Sequence, residues 1–266
     1  MIDLHNHTFF GDGRDSPSDM IEEAHRKGVH VFGLSEHFPR PRGYDYPEVN
    51  FNHEGLASRF FDYISEVSRL KEGRGDIKVL LGTEVDFLPD ETERIGSEIG
   101  AFNFDYIIGG VHMIGKWGFD YNYKEWQGRD VDDLYNKYYE IMYQLIKSRL
   151  FDIIAHFDLI KIFKKRYPPK KDFSDVSKDL LREVAKAGLF LEVNTGTLRK
   201  DCAELSPSPE LIREAARLKI PFVLGSDAHR TEDIAYGFGD VVLMLKGLGV
   251  KETAYFEKRR PVFVKL

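Results

Sequence analysis

Met1-Ile2-Asp3-Leu4-His5-Asn6-His7 opens the chain with apolar and polar side chains in alternation, the pattern of a half-buried β-strand. With a period of two, His5 and His7 project from one face and form a chelating pair. Taken alone, the pair is equally well the wet side of an ordinary surface strand. What separates the two readings is whether other metal-ligating side chains recur at the ends of later strands, because that recurrence also dictates how the strands must be arranged.

They do recur. Ser16 to Gly28 reads as a helix, with Ser16 as N-cap, Pro17 in the first turn and an apolar stripe of Met20, Ile21 and Ala24. A second strand, Val29 to His37, ends in Glu36-His37 before a loop holding Arg40 and Arg42. Residues 52 to 72 are helical by spacing, and the third strand, Lys78 to Phe87, carries Gly82-Thr83-Glu84 in its second half. A short helix from about Asp90 to Ala101 leads to strand four, Asp105 to Ile114, where His112 takes the corresponding late position. Helix 131 to 149 precedes strand five, Phe151 to Leu159, with His156 near its end. Helix 174 to 187, strand six (Leu189 to Val193), helix Ser208 to Leu218 and strand seven (Pro221 to Gly225) follow, the last delivering Ser226-Asp227-Ala228-His229. A helix near 232 to 247 and an extended piece, Pro261 to Lys265, complete the chain.

Seven alternations of strand and helix are the pattern of a parallel α/β fold, whose functional residues lie beyond the carboxyl ends of the strands. Candidate ligands fall at those ends in six of the seven strands. An open sheet would spread them over tens of ångströms, at about 5 Å per strand, whereas a closed or nearly closed barrel brings them to one axial spot. The expectation is an α/β barrel in a single domain spanning residues 1–266.

Composition narrows the function. The 266 residues include 42% hydrophobic and 31% charged side chains, and no apolar run is long enough to span a bilayer. Without a basic segment followed by an apolar one at the start, a cytoplasmic location is expected. Cys202 is the one cysteine, which excludes a disulfide framework or a thiolate-rich metal site and suggests a semi-buried structural thiol. A net charge of −6 argues against a broad nucleic-acid footprint. The aromatic-rich loop 115–130 is expected to cover the core, and the basic run Lys161 to Lys171 to be solvated.

The candidate ligands are His5, His7, Asp12, His37, Glu84, His112, His156, Asp227 and His229. Six of the nine histidines belong to this set; His25, His30 and His53 lack the strand-end position and read as structural or surface residues. Imidazole and carboxylate without thiolate suit zinc, manganese or iron(II). Nine ligands are enough for two or three ions, particularly if Glu84 bridges, and paired ions generate hydroxide at neutral pH, which points to hydrolysis.

The His5-Asn6-His7 start, Asp12, His37, Gly-Thr-Glu84, Gly-Val-His112, Ala-His156 and Ser-Asp227-Ala-His229 resemble the ordered motifs of the PHP (polymerase and histidinol phosphatase) family. The resemblance spans positions 5 to 229 and implies a distorted (β/α)7 barrel with a trinuclear metal site. It implies that His5, His7, Glu84 and Asp227 hold one ion, Glu84, His112 and His156 a second, and Asp12, His37 and His229 a third. Aspartate at position 12, Gly118-Phe119-Asp120 and Asn194-Thr195-Gly196-Thr197-Leu198-Arg199-Lys200 are similar to the histidinol-phosphatase branch.

The expected activity is therefore metal-dependent hydrolysis of L-histidinol phosphate to L-histidinol and phosphate through a metal-bridging hydroxide, with Glu84, Asp227 and His229 as catalytic residues. Three divalent ions offset by three carboxylates would leave a local charge of about +3, attractive to a phosphate dianion. Arg199 is the first candidate for a phosphate clamp, with Arg42, Lys161 and Arg230 behind it. The rival readings are a phosphoesterase acting on nucleotides or nucleic acid, which the charge balance disfavours, and a catalytically silent metal-binding or regulatory module, which the full ligand set disfavours.

Overall fold

The computed structural model describes residues 1–46, 52–73 and 75–266. Seven strands form one parallel sheet in the order β1 (Ile2–Asp3), β2 (Val31–Leu34), β3 (Lys78–Asp86), β4 (Tyr106–Gly110), β7 (Ile153–Ile154), β8 (Phe190–Asn194) and β9 (Phe222–Gly225). The two edges of this sheet meet. Leu4 N–H donates to the Leu224 carbonyl at 3.0 Å, His7 N–H to Ala228 at 2.8 Å, and Asn6 pairs in parallel with Ala228. The result is the nearly closed, seven-stranded barrel that convergence of the strand ends required.

Helices α1 (Pro17–Arg26), α2 (His53–Gly73), α3 (Thr92–Ile99), α4 (Val131–Ser148), α5 (Ser174–Ala187), α6 (Pro209–Arg217) and α7 (Phe238–Gly247) supply the outer layer. Their ends are set by local chemistry: Ser16 Oγ accepts from Asp19 N–H ahead of Pro17, Asp130 caps α4, and Ser208 caps α6 ahead of Pro209. In α1 the stripe Met20, Ile21 and Ala24 is buried, as its spacing predicts.

Side chains of β3 sort strictly by alternation. Val79 and Leu81 pack outward into the large core under the helices, while Leu80 belongs to a separate apolar cluster with Ile2, Leu4, Tyr106, Ile108, Ile153 and Val223. Glu84 and Asp86 continue the inward row towards the carboxyl end. Tyr106 crosses the interior and donates to the Leu4 carbonyl at 2.6 Å. It fits only because position 82 is glycine: a Cβ there would lie 2.3 Å from Tyr106 Cζ.

Several elements depart from the sequence expectation. Strand four stops at Gly110, and the following residues form a small antiparallel hairpin, β5 (Met113–Ile114) with β6 (Trp117–Gly118). Strand five pairs only at Ile153–Ile154, because His156 adopts φ +23 and the chain then coils into a 3-10 turn, Leu159–Phe163. The helix expected near 232 begins with a separate 3-10 turn, Thr231–Asp233, so α7 starts at Phe238. The terminal extended piece is half of a hairpin, β10 (Glu252–Glu257) with β11 (Arg260–Lys265), whose Ala254, Tyr255 and Phe256 join the interior cluster. The aromatic loop is core cover in part, with Phe119 and Trp126 buried, while Asp120 and Tyr121 turn to the cavity at the carboxyl end of the barrel.

Candidate metal centre

The strands do not stop where their regular pairing ends. Ser35 N–H donates to Asn6, Glu84 N–H to Ser35, and Phe38 N–H to Glu84, so the segments after β1 and β2 are stitched alongside the second half of β3. This continuation carries His5, His7, His37 and Glu84 inward together. All nine candidate ligands come to one end of the barrel, and seven of them line a single cavity of about 190 Å³. His5 and His7 lie deeper, with no exposed surface.

Glu84 is the hub. Its Oε1 is 2.8 Å from His156 Nε2 and 3.6 Å from His112 Nε2, while Oε2 is 3.2 Å from His5 Nε2, 3.5 Å from His7 Nε2 and 3.2 Å from His37 Nδ1. One carboxylate thus faces two separate groups of imidazoles with different oxygens, the disposition a bridging ligand needs. Asp227 Oδ1 stands 3.5 Å from His7 Nε2 and 3.9 Å from His5 Nε2. At the outer end Asp12 meets His229 at 3.1 Å and His37 at 3.7 Å, and His7 stacks between His37 and His229 with ring centroids 4.3 and 4.5 Å away.

Three groups of side chains are compact enough for a metal ion: His5, His7 and Glu84; Glu84, His112 and His156; and His7, Asp12, His37 and His229. They overlap the three sets the sequence resemblance implies, except that Asp227 falls outside the first compact group and His7 joins the third as well as the first. Two observations fit an ion rather than a self-contained polar network. The Nε2 atoms of His5 and His7 are fully buried yet make no hydrogen bond, a costly condition that a ligand would relieve. His156 and Asp227 hold left-handed backbone at φ +23 and +51, strain of the kind concentrated at functional sites.

Three further carboxylates, not singled out from the sequence, aim the imidazoles. Glu192 Oε1 is 2.7 Å from His5 Nδ1, Glu36 Oε1 is 3.3 Å from His7 Nδ1, and Asp86 bonds His112 Nδ1. A proton on each Nδ1 leaves the Nε2 lone pair directed at the centre, the usual arrangement behind a ligating histidine. Asp86 also pairs with the buried Arg40, which holds its carboxyl well below the ordinary range against the opposing effect of burial. Burial disfavours charge on Asp227 and Glu84 as well, but the surrounding imidazoles outweigh it and keep both ionised. The same attraction works on the imidazoles: Asp86 and Glu84 overcome desolvation to raise His112 to about 10, and Asp12 raises His229 to about 9.

The expected phosphate-binding cations are placed otherwise. Arg199 donates through Nη2 to the carbonyls of Ser226 and Asp227 at 2.9 and 3.0 Å, so it braces the turn that presents Asp227 rather than lining the cavity. Lys200, its exposed neighbour, does line it. Lys161 is not solvated: it is buried against Asp158 at 2.8 Å and the Leu205 carbonyl at 2.6 Å, since an ammonium inside the fold must be paired. Arg42 and Arg230 are exposed and pair with Glu54 and Asp233, away from the cavity lining. Cys202 is buried and free, donating to the Thr197 carbonyl.

Known proteins share this architecture. The chain is 36% identical over 98% of its length to a Deinococcus radiodurans protein named "probable histidinol-phosphatase", with 98% of that protein covered. It is 28% identical to the Bacillus subtilis histidinol-phosphatase, with 89% of this chain and 96% of the relative covered. The fold superposes, at a TM-score of 0.80 and 20% identity over 98% of both chains, on a Lactococcus lactis histidinol phosphate phosphatase solved with zinc, L-histidinol and phosphate. The family model described as the PHP domain matches residues 3–196. With most of its length under that model and a relative this similar end to end, the chain belongs to the PHP domain family.

Proposed function

We propose that this chain is a metal-dependent phosphomonoesterase that hydrolyses L-histidinol phosphate to L-histidinol and phosphate. The observation that carries the reading is Glu84, whose two oxygens face two different imidazole groups in a buried cavity. The relatives' names supply the substrate. Residues 1–266 act as one domain, and a reducing, cytoplasmic setting suits a chain whose one cysteine is buried and free.

His5, His7, Glu84 and Asp227 would hold one divalent ion, Glu84, His112 and His156 a second, and Asp12, His37 and His229 a third. Zinc, manganese or iron(II) there would acidify water and neutralise charge on the phosphoryl oxygens. The chain's own residues do the rest. Glu192, Glu36 and Asp86 fix which nitrogen of His5, His7 and His112 faces the centre. Arg199 holds the Ser226-Asp227 turn, which keeps Asp227 Oδ1 at the centre, where it can accept a proton from an attacking water. Glu84, Asp227 and His229 are the side chains that touch the reacting atoms, Glu84 at the buried base of the cavity and Asp227 and His229 towards its open mouth.

Elemental analysis of the purified protein, paired with a phosphate-release assay on L-histidinol phosphate, tests this directly. Stoichiometric transition metal and chelator-sensitive turnover are expected. Faster cleavage of oligonucleotides or nucleotides would overturn the substrate, and metal-loaded protein inert towards every phosphate ester would overturn the enzyme.

A further inference from the structure

Apart from Asp227, which stands against His5 and His7, the cavity lining includes one carboxylate outside the three compact ligand groups, Asp120. Its position is built with care. Phe119, immediately before it, is wholly buried against Tyr138 and Trp126, its N–H donates to the His112 carbonyl at 3.1 Å, and its own carbonyl accepts from Trp126 Nε1 at 2.7 Å. Tyr46, buried beneath the Arg40 guanidinium, donates its hydroxyl to Asp120 Oδ1 at 2.6 Å. Tyr46 can lie there because position 118 is glycine, where a Cβ would stand 2.5 Å from Tyr46 Cε1. Among the described residues no lysine or arginine comes within ion-pair distance of Asp120, although Arg40 and His112 interact with its charge through space, and Oδ2 accepts no hydrogen bond.

A hydroxyl donor needs only one acceptor oxygen, which a neutral amide would supply as well. A carboxylate held on one oxygen and open on the other, inside a cavity otherwise arranged for an anion, suits a cationic N–H donor on the same ligand. We propose that Asp120 is the residue that selects phosphate monoesters carrying a positively charged nitrogen, accepting that nitrogen's N–H while the phosphate sits at the imidazole cluster. The proposal rests on the phosphomonoesterase reading above and deepens it. L-Histidinol phosphate offers two such nitrogens, an ammonium and a protonated ring, and the chemistry at Asp120 is common to both.

The test uses the full, metal-loaded chain and compares wild type with Asp120→Asn on two esters, L-histidinol phosphate and p-nitrophenyl phosphate, whose alcohol part carries no cation. Asparagine still accepts from Tyr46 but loses the charge. The ratio of kcat/KM for the cationic ester over the uncharged one is expected to fall about 10- to 100-fold, mainly through KM. Asp120→Glu should restore part of that ratio. Phosphoethanolamine, with an ammonium and no ring, and 3-(imidazol-4-yl)propyl phosphate, with a ring and no ammonium, separate the two nitrogens: the ester still sensitive to Asp120→Asn carries the one that is bound. Equal losses on both esters, or no loss on either, would overturn the proposal, since Asp120 would then serve the fold or nothing. So would a wild type that cleaves p-nitrophenyl phosphate but no cationic ester. A wild type that cleaves phosphoethanolamine in an Asp120-dependent way yet leaves L-histidinol phosphate intact would instead sink the substrate assigned above and leave this inference standing.

Discussion

Glu192 shows how much of the centre is prepared by residues that would touch no ion. Its Oε1 meets His5 Nδ1, and its Oε2 accepts from His156 N–H at 2.8 Å and Asn194 Nδ2 at 3.2 Å, so one buried carboxylate ties two ligand segments together. In Glu192→Gln the amide must turn its NH2 towards one donor set or the other, and the charge that makes His5 a better ligand is gone. Metal affinity, measured by competition with a chromophoric chelator, should fall about 10- to 100-fold while far-ultraviolet circular dichroism stays native. Unchanged affinity would reduce Glu192 to a packing residue. The candidate ligands were legible in the sequence because, Asp12 in its loop apart, they sit at or near the ends of strands. Asp86 and Glu192 were not singled out, although strand alternation places Asp86 on the same face as Glu84, two residues away. Arg199 marks a different limit: the direction of a side chain leaving a 3-10 turn is not written in its neighbours, and here the carbonyls of Ser226 and Asp227 take its Nη2.

At the scale of elements, β3 links the barrel's apolar floor to its metal-binding rim through a single alternating row, Leu80, Gly82, Glu84 and Asp86. Gly82 is the joint. Gly82→Ala would drive a methyl into the Tyr106 ring, and overpacking of a tight core costs about 1–3 kcal/mol. Tyr106 also donates to Leu4, the residue before His5, so displacement of the ring should disturb the first ligand strand. A lowered midpoint in thermal unfolding together with weaker metal binding is expected; native values of both would show that the ring relocates freely. The alternation and the helix caps made most elements readable in advance. What escaped were the places where tertiary contacts override local pattern. The apolar run through Ile114 reads as one strand but breaks at Gly110, and Met113–Ile114 turns back to form a hairpin, while His156 leaves extended geometry at φ +23. The C-terminal hairpin was half missed because β10 owes its strand to burial of Ala254, Tyr255 and Phe256 against the barrel floor.

For the molecule as a whole, folding concentrates six imidazoles and several carboxylates in one desolvated place, and the metal-free protein must balance that charge with protons. Carboxylates overcome the cost of burial to raise His5 well above its ordinary range, His112 to about 10 and His229 to about 9, whereas burial and the neighbouring His7 push His37 down to about 3. At about pH 7 the first three therefore bind protons in the metal-free fold, and an ion can take their lone pairs only by expelling them. Raised values mean that these imidazolium interactions support the metal-free fold below their ordinary range, and those of His229 and His112 are lost as pH climbs through about 9 to about 10. Metal affinity should move the other way, rising with pH across the window from about 7 to 9 as the competing protons weaken. Calorimetric titration of zinc or manganese into chelator-stripped protein, run in two buffers of different protonation enthalpy, should reveal proton release at about pH 7 that shrinks towards pH 9. Metal at a thousandfold over its Kd should add about 4 kcal/mol to stability, read as a raised unfolding midpoint that chelation reverses. Heats independent of buffer, with a midpoint indifferent to chelator, would mean that the cluster is a self-satisfied polar network and that the protons, rather than ions, are what the barrel was built to hold.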